Sequence, residues 1–314
     1  MKISIIVSVY NEEKVICKFY NELIDTLNSI GNYIFEIIFV NDGSTDDSES
    51  ILKGLSLQDS KLKLINFSKN FGHEAAMIAG IDIASGDFII CMDSDLQHPP
   101  SKIKDILSKI GEGYEVVNMV RASNKKEKIW KRLSSHLFYK LINTISHVKF
   151  EPNASDFFMI SSKVADIFRN NYREKVRFLR GYIQMVGFKK GTITFHAEER
   201  CDGESKYSAI SLMKFAIGVI FTFSNMPLRL GLYTSLLSFL FGFGIIIYSV
   251  IMKLIGSYTP AGYTTVVVLL SFFFSILFLI IGIIGEYLRM IFEESKVRPI
   301  YLVRSVCEIG DKGE

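Results

Sequence analysis

The stretch MDSDLQHPP, Met92–Pro100, sets two carboxylates, Asp93 and Asp95, either side of one serine, just after the apolar run FIIC. Side chains two apart at the end of a strand share a face, so this pair can meet one divalent cation. A hard cation such as Mg²⁺ takes carboxylate oxygens and commonly leaves its other positions to substrate phosphates. Bound there, it would neutralise charge building on a departing diphosphate. A D-x-D pair alone is a weak signal, because solvated turns carry the same residues. Its company strengthens it: YNEE at Tyr10–Glu13, NDGSTDD at Asn41–Asp47 and Arg121 each follow an apolar run as well.

Those clusters need a scaffold that brings them together. Nearly wholly apolar runs predict strands over Ile3–Val9, Glu36–Val40, Leu62–Phe67, Phe88–Met92 and Glu115–Val120. Helical spacing predicts helices over Glu12–Ile30, Asp46–Leu57 and Glu74–Ala84, with Ser44, Thr45 or Asp46 as caps for the second. Apolar strands separated by helices imply an α/β fold whose mostly parallel sheet is covered on both faces. Ligands of such sheets bind outside the carboxyl ends of the strands, where every polar cluster above falls.

The chain of 314 residues is 49% hydrophobic yet 22% charged, with a mean hydropathy of +0.26, which suits a water-soluble portion joined to a membrane portion. A net charge of +3 gives no argument for nucleic acid. Cys17, Cys91, Cys201 and Cys307 are scattered, with no C-x-x-C pair, which argues against a zinc or redox site and suits a reducing compartment. MKISIIVSVYNEE reads as a buried strand ending at a polar turn, and its short apolar stretch does not suit a signal peptide.

Two later runs, Leu230–Met252 and Thr264–Gly285, contain no Asp, Glu, Lys or Arg. Each is about 22 residues, enough to cross a hydrocarbon core of roughly 30 Å. The preceding segment, residues 206–228, has helical apolar spacing and few charges, as an interfacial helix would. Arg229 precedes the first run, and Arg289, Lys296, Arg298 and Arg304 follow the second, against one Lys253 between them. The excess of positive charge predicts both termini in the cytoplasm and a multi-pass protein of the cytoplasmic membrane. The expected organisation is a catalytic domain over 1–205, an interfacial helix over 206–228, two spans within 229–290 (about 230–252 and 264–286) and a tail over 291–314.

Taken together, SIIVSVYNEE, EIIFVNDGSTDDS, NFSKNFGHEAAMIAG, GDFIICMDSDLQHPP, RFLRGY, VGFKKG and GESKYS resemble the family 2 glycosyltransferases of GT-A fold. More narrowly the chain is similar to the polyprenyl-phosphate glycosyltransferases, the group of dolichol-phosphate mannose synthase and the bactoprenol glucosyltransferases. GEYLRMIFEESKVRPIYLV looks like the end of the two-span bactoprenol members.

This resemblance implies an inverting transfer of sugar from a nucleoside diphosphate sugar, UDP-glucose first, to polyprenyl (undecaprenyl) phosphate. The product would be a membrane-bound lipid phosphate sugar for cell-envelope glycan modification. Other donors, N-acetylhexosamine, galactose or an amino sugar, stay open, as does a non-catalytic membrane-anchored scaffold that binds sugar nucleotides. By the same resemblance Tyr10, Glu12 and Asp42 match nucleotide-binding positions. Asp93, Asp95 and Gln97 match the metal and diphosphate positions, for Mg²⁺ or Mn²⁺. Arg200 and Lys206, beside Gly203 and Ser205, match a segment that closes on the donor diphosphate. Arg121, Lys131 and Ser135 match the acceptor phosphate site. Asp156 matches a buried Asp-Phe step, so Asp156 and Asp95 are the expected catalytic acids.

Ser8, His73, Phe158 and Met185 depart from the usual family pattern, where Pro, Lys, Arg and Trp are common. His73 and His98 lack metal-ligand spacing and read as surface or helix-edge residues. Lys125, Lys126 and Lys128 read as a solvated face, the aromatic residues of RFLRGYIQMVGF as packing, and Glu286 with Arg289 as a pair within a helix. No Q-x-x-R-W, G-x-G-x-x-G or G-x-x-x-x-G-K-[ST] is present, which excludes a processive polysaccharide synthase, a dinucleotide oxidoreductase and a P-loop NTPase. The two spans also offer a surface for homo-oligomers.

Overall fold

The computed structural model describes residues 1–122, 139–140, 143–144, 151–174, 178–196, 221, 226–255 and 262–308. One compact unit comprises Met1–Asn143, Val148–Met213 and Arg298–Glu314, and a second comprises Thr144–His147 and Lys214–Val297.

The first unit is built on one sheet of eight strands: β1 (Lys2–Val9), β2 (Ile34–Asn41), β3 (Leu62–Phe67), β4 (Phe88–Asp93), β5 (Val116–Arg121), β6 (Ala154–Ser161), β7 (Lys190–Phe195) and β8 (Val303–Cys307). Their order across the sheet is β7-β5-β6-β4-β1-β2-β3-β8. β1 pairs in parallel with β2 and β4, as β2 does with β3 and β5 with β7. β6 and β8 run antiparallel to their neighbours. The five strands expected from the sequence are all present, each within two residues of its expected ends.

Helices α1 (Ile16–Asn28), α2 (Ser48–Ser56), α3 (His73–Ile83), α4 (Ile103–Gly111), α5 (Ser162–Asn170) and α6 (Leu179–Met185) cover this sheet. α1 buries Ile16, Phe19, Leu23 and Leu27, a stripe at helical spacing, and its first turn begins four residues later than the periodicity suggests. The intervening Glu12–Val15 forms the polar turn that carries part of the site. α3 is different, since small residues let it lie almost on β1. A Cβ added at Gly80 would stand 2.2 Å from Ile6 Cγ2. α2 takes no side-chain cap from its own Asp47; Asp46 Oδ1 instead accepts from Ser48 N. α4, with Ile103, Ile106, Leu107 and Ile110 buried, was not foreseen in the sequence.

At the amino end of the strands Glu36 is only 4% exposed. Its Oε2 accepts from Ser4 Oγ at 2.7 Å and Ser85 N at 3.1 Å, and the Nζ atoms of Lys2 and Lys63 stand 3.5 Å from Oε1. Burial alone would raise its pKa, but the Ser4 and Ser85 hydrogen bonds, with the Lys2 charge, win and hold it below the usual carboxylate range.

Residues 303–307, expected in a tail, form the edge strand β8. Tyr301 stacks on Phe67 at 5.1 Å between ring centroids and donates to Asp82 Oδ2 at 2.7 Å. Arg304 pairs with Glu49, and Lys63 Nζ lies 2.8 Å from Glu308 Oε1.

In the second unit α7 (Met226–Leu254) and α8 (Tyr263–Ser295) are long and apolar enough to cross a membrane. α7 is described from Met226, and residues 222–225 before it lie outside the described residues. α8 runs about ten residues past the expected end, and Arg289 pairs there with Glu286 as the spacing suggests. Gly242 faces Phe273 where the two helices meet. Large apolar side chains, Leu232 and Phe278 among them, are exposed. The expected interfacial helix lies mostly outside the described residues. Among the described residues Cys17, Cys91 and Cys307 are free thiols.

Candidate active site

Four loops leave the carboxyl ends of β1 to β4, and hydrogen bonds lace three of them together. Asn11 takes the left-handed φ of 54°, which aims its side chain across to the second loop. Its Oδ1 accepts from Thr45 N at 2.8 Å, and its own N–H donates to Ser44 Oγ at 3.0 Å. Glu12 N donates to Ser48 Oγ at 2.9 Å. Asp42, 2% exposed, accepts from Phe71 N at 2.6 Å and Gly72 N at 2.9 Å, tying the second loop to the third. Gly43 sits at φ +65°, where a Cβ would lie 2.4 Å from the carbonyl carbon of Lys69. Tyr10 is exposed at the rim. The three residues expected to hold a nucleotide thus occupy adjacent loops, and Asp42 also staples them.

The fourth loop carries the carboxylate pair. β4 ends at Asp93, so the alternation of strand side chains stops there. The turn that follows positions Asp95: Leu96 takes φ 63°, and Gln97 N donates to Asp95 Oδ1 at 3.0 Å. Gln97 is buried, 8% exposed. Asp93 faces the other way along the sheet as well. β6 is antiparallel, with Cys91 opposite Phe158, so its first residues reach the carboxyl end of β4, and the same register carried on sets Asp156 opposite Asp93.

Three groups close around this pair. His73, the first residue of α3, has Nδ1 2.9 Å from Ser8 Oγ, and Ser8 Oγ donates to Asp93 Oδ1 at 2.9 Å. Ser8 has one proton and gives it to Asp93, so Nδ1 carries a hydrogen and donates to Ser8. His73 Nε2 is buried with no hydrogen-bond partner and lies 3.6 Å from Asp156 Oδ2. Arg180, from α6, grips both Asp156 oxygens with one guanidinium edge: Nε donates to Oδ1 at 2.6 Å, and a terminal nitrogen donates to Oδ2. His98 is fully buried, stacked on Phe157 at 5.3 Å and met edge-on by Phe195. The expectation of a surface or helix-edge position therefore fails for His98, because rings from β6 and β7 enclose it. Asp93 N donates to its Nδ1 at 2.9 Å, so the ring proton is on Nε2, 2.6 Å from Ser155 Oγ. The Arg121 guanidinium stands 3.3 Å from that same Nε2, at the end of β5.

Residues 4–168 match the family model described as glycosyl transferase family 2. The chain belongs to this family. Curated relatives include an uncharacterized glycosyltransferase, YkcC, of Bacillus subtilis, 38% identical over 98% of this chain and 95% of that one. The bactoprenol glucosyl transferase of Shigella phage SfV is 35% identical over 97% of this chain and 99% of its own. Among solved structures, S. aureus TarS 1-349 in complex with UDP-GlcNAc aligns at a TM-score of 0.44 and 19% identity, over 70% of this chain and 67% of that chain.

The electrostatics of this glycosyltransferase follow from the contacts. Burial pushes the Asp156 carboxyl up, but the charge and hydrogen bonds of Arg180, helped by His73, hold it well below the usual range. Burial works against a charged His73, yet Asp93, Asp156 and Glu74 outweigh it and raise the imidazole. For His98 burial wins, with Arg121 adding to it against the Asp93 charge, and the ring stays neutral. Glu74 is raised by burial and by Asp156, although Leu179 N donates to it at 2.9 Å.

Donor atoms of His73, Asp93 and Asp156 lie within 4.8 Å of one another, but Arg180 engages both Asp156 oxygens, which leaves the Asp93 carboxylate and the partnerless His73 Nε2 as the ligands on offer, with Asp95 on the same turn. That set fits a divalent cation with borderline-hard preferences. Lys131, Ser135, Arg200 and Lys206, and with them the run Lys125–Lys128, lie outside the described residues. Phe178 and Tyr182 are buried packing residues, as expected of RFLRGY. The sequence marks Ser8 and His73 only as departures from the family pattern and gives His98 and Arg180 no role here; Ser8, His73 and Arg180 meet their partners from distant segments, and His98, five residues from Asp93, is brought in by the rings of β6 and β7.

Proposed function

We propose that this glycosyltransferase moves a sugar from a nucleoside diphosphate sugar, UDP-glucose first among donors, to polyprenyl phosphate, undecaprenyl phosphate foremost, with inversion. The observation that carries this reading is the near full-length similarity to a bactoprenol glucosyl transferase. That similarity runs through both long apolar helices as well as the sheet, so an acceptor that never leaves a bilayer accounts for the whole chain.

The chemistry of the site supports it. A phosphate monoester is largely dianionic near neutral pH, its second pKa being about 6, so it attacks without a strong base. Asp156, kept ionised by Arg180, is a poor proton acceptor and suits a fixed negative charge beside the electron-poor anomeric carbon. Asp93, with Asp95 and Gln97 on the same turn and His73 beside it, would hold Mg²⁺ or Mn²⁺. When bound, that cation supplies charge neutralisation for the departing diphosphate. Arg121, together with Lys131 and Ser135, would hold the acceptor phosphate against the repulsion of the donor. Tyr10, Glu12 and Asp42 would cradle the nucleoside, and Arg200 and Lys206 would close over the diphosphate. The basic residues flanking the helices favour a cytoplasmic site on the inner membrane, and the helices themselves favour self-association.

The deciding experiment presents the purified full chain with undecaprenyl phosphate, Mg²⁺ or Mn²⁺, and a panel of UDP-sugars, and reads glycolipid mass. A hexosyl lipid phosphate from UDP-glucose is expected. Product from an N-acetylhexosamine, galactose or amino-sugar donor alone would correct the donor. No product from any donor would overturn the reading.

A further inference from the structure

Three polar side chains connect the edge strand that follows α8 to the loop expected to hold the nucleotide. Asn41 and Asn66 are both fully buried, on neighbouring strands β2 and β3. Asn41 Oδ1 accepts from Ser44 N at 3.0 Å, which folds the NDGS turn. Asn41 Nδ2 donates to Asn66 Oδ1 at 3.0 Å, and Asn66 Nδ2 donates to Ser305 Oγ at 3.2 Å. The run is directional. Each amide spends its oxygen towards the loop and its nitrogen towards β8: the Ser44 N–H can only donate and so sets the direction of the run, and the Ser305 hydroxyl, turned to accept, satisfies its last nitrogen. A flip of Asn66 would present nitrogen to the nitrogen of Asn41, and the turn would lose its backbone acceptor.

Other contacts tie the same segment to the same end of the sheet. Ser68 N donates to Leu302 O at 3.0 Å, just before the third loop, whose Phe71 and Gly72 amides hold Asp42. Phe67 lies between Tyr301, stacked on one side, and Phe71, met edge-on at 5.7 Å. The β3–β8 ladder shifts register between Asn66 and Phe67, at the point where Ser305 meets Asn66. Such irregularities re-aim side chains near functional sites.

We propose that β8 is a positioning element of the nucleotide site and that Ser305 is a positioning residue, acting through Asn66 and Asn41 on the Asp42 loop. The inference rests on the reading that this loop holds the donor nucleotide. It means that the sheet carrying the site is completed by residues that come after both long helices.

The test uses the full chain in detergent, with UDP and Mn²⁺ as the calorimetric probe and the donor sugar nucleotide in turnover. Ser305→Ala is expected to weaken UDP binding roughly three- to tenfold, the worth of one neutral hydrogen bond, and to raise donor KM equally with kcat within about twofold. Ser305→Thr keeps the hydroxyl and restores both values. Ser305→Val has nearly the shape of threonine, so the Thr-to-Val ratio reads the bond even where β8 is loosened in each. Arg304→Ala removes the pairing with Glu49 from the same strand and leaves UDP affinity unchanged. Wild-type affinity in Ser305→Ala and Ser305→Val, or an equal loss in Arg304→Ala, overturns the inference while the functional reading stands. A wild-type chain that binds no UDP overturns both.

Discussion

The two ends of the sheet each hold a shielded acid, and they treat it differently. At the amino end Glu36 has donors on both oxygens, from Ser4 and Ser85, and two lysines nearby. Every partner is a small donor or an ammonium that stabilises the ionised form, and the site is closed. At the carboxyl end Asp93 and Asp156 face one imidazole whose Nε2 has no hydrogen-bond partner, and Asp93 remains about a quarter exposed. Both ends contain acids with lowered pKa values, in Glu36 and Asp156. A perturbed acid is therefore not evidence of catalysis by itself. What separates the ends is whether the hydrogen-bonding capacity is used up inside the protein.

Substitutions can break this contrast. The largest effect is expected from Asp93→Asn. Glycolipid formation should fall about 10²- to 10³-fold, as when a charge-stabilising group is removed from an active site, with the melting temperature held. A melt lowered along with the rate would make Asp93 structural, like Glu36. Arg180→Ala should act on both counts, lowering turnover more than tenfold and stability by about 2 kcal/mol. That is below the roughly 3–5 kcal/mol for breaking a fully buried pair, since Arg180 is about one third exposed. Glu36→Gln should cost about 1–3 kcal/mol, seen as a melting temperature lowered by some 2–4 °C per kcal/mol, with kcat unchanged. Loss of kcat there would erase the distinction between the two ends.

The smallest effect is in pH. Folded Glu36 and Asp156 both titrate below their unfolded values of about 4.3 and 3.9. Each therefore stabilises the fold above those values, and that stabilisation is lost as pH falls through the folded pKa. Melting temperature should hold from pH 7 to about pH 5 and fall below about pH 4. Glu36→Gln should start lower and fall less steeply over the same range. A parallel fall in both proteins would remove Glu36 from the acid response.

The sequence made the parallel half legible because its strands are buried on both faces, so apolar runs such as SIIVSV mark them without ambiguity. The loops after them were legible for the same reason, as polar residues have nowhere else to go. Strand direction was not legible. DFFMIS carries no mark of running backwards, yet that reversal is what delivers Asp156 to Asp93. β8, with Val303, Arg304 and Val306 exposed, lacks the apolar run of an inner strand and reads as a tail. His98 is the sharpest case. The text around it, LQHPP, is that of a turn, and only Phe157 and Phe195, about sixty and a hundred residues later, bury it. Ser8, His73 and Arg180 become site residues through contacts across 24 to 85 positions, and no local window contains such a pair.

The return of the chain at Arg298 has a further consequence, one of counting. Strands β1 to β7 and the returning strand β8 belong to one sheet, and the two long helices lie between β7 and β8 in the chain. A folded unit occupies one side of a bilayer. An excursion that leaves it and rejoins it must cross an even number of times, whatever the orientation. Every crossing made between β7 and β8, by the two helices or by any other part of that stretch, counts towards this even number, which the pairing of β8 with β3 imposes.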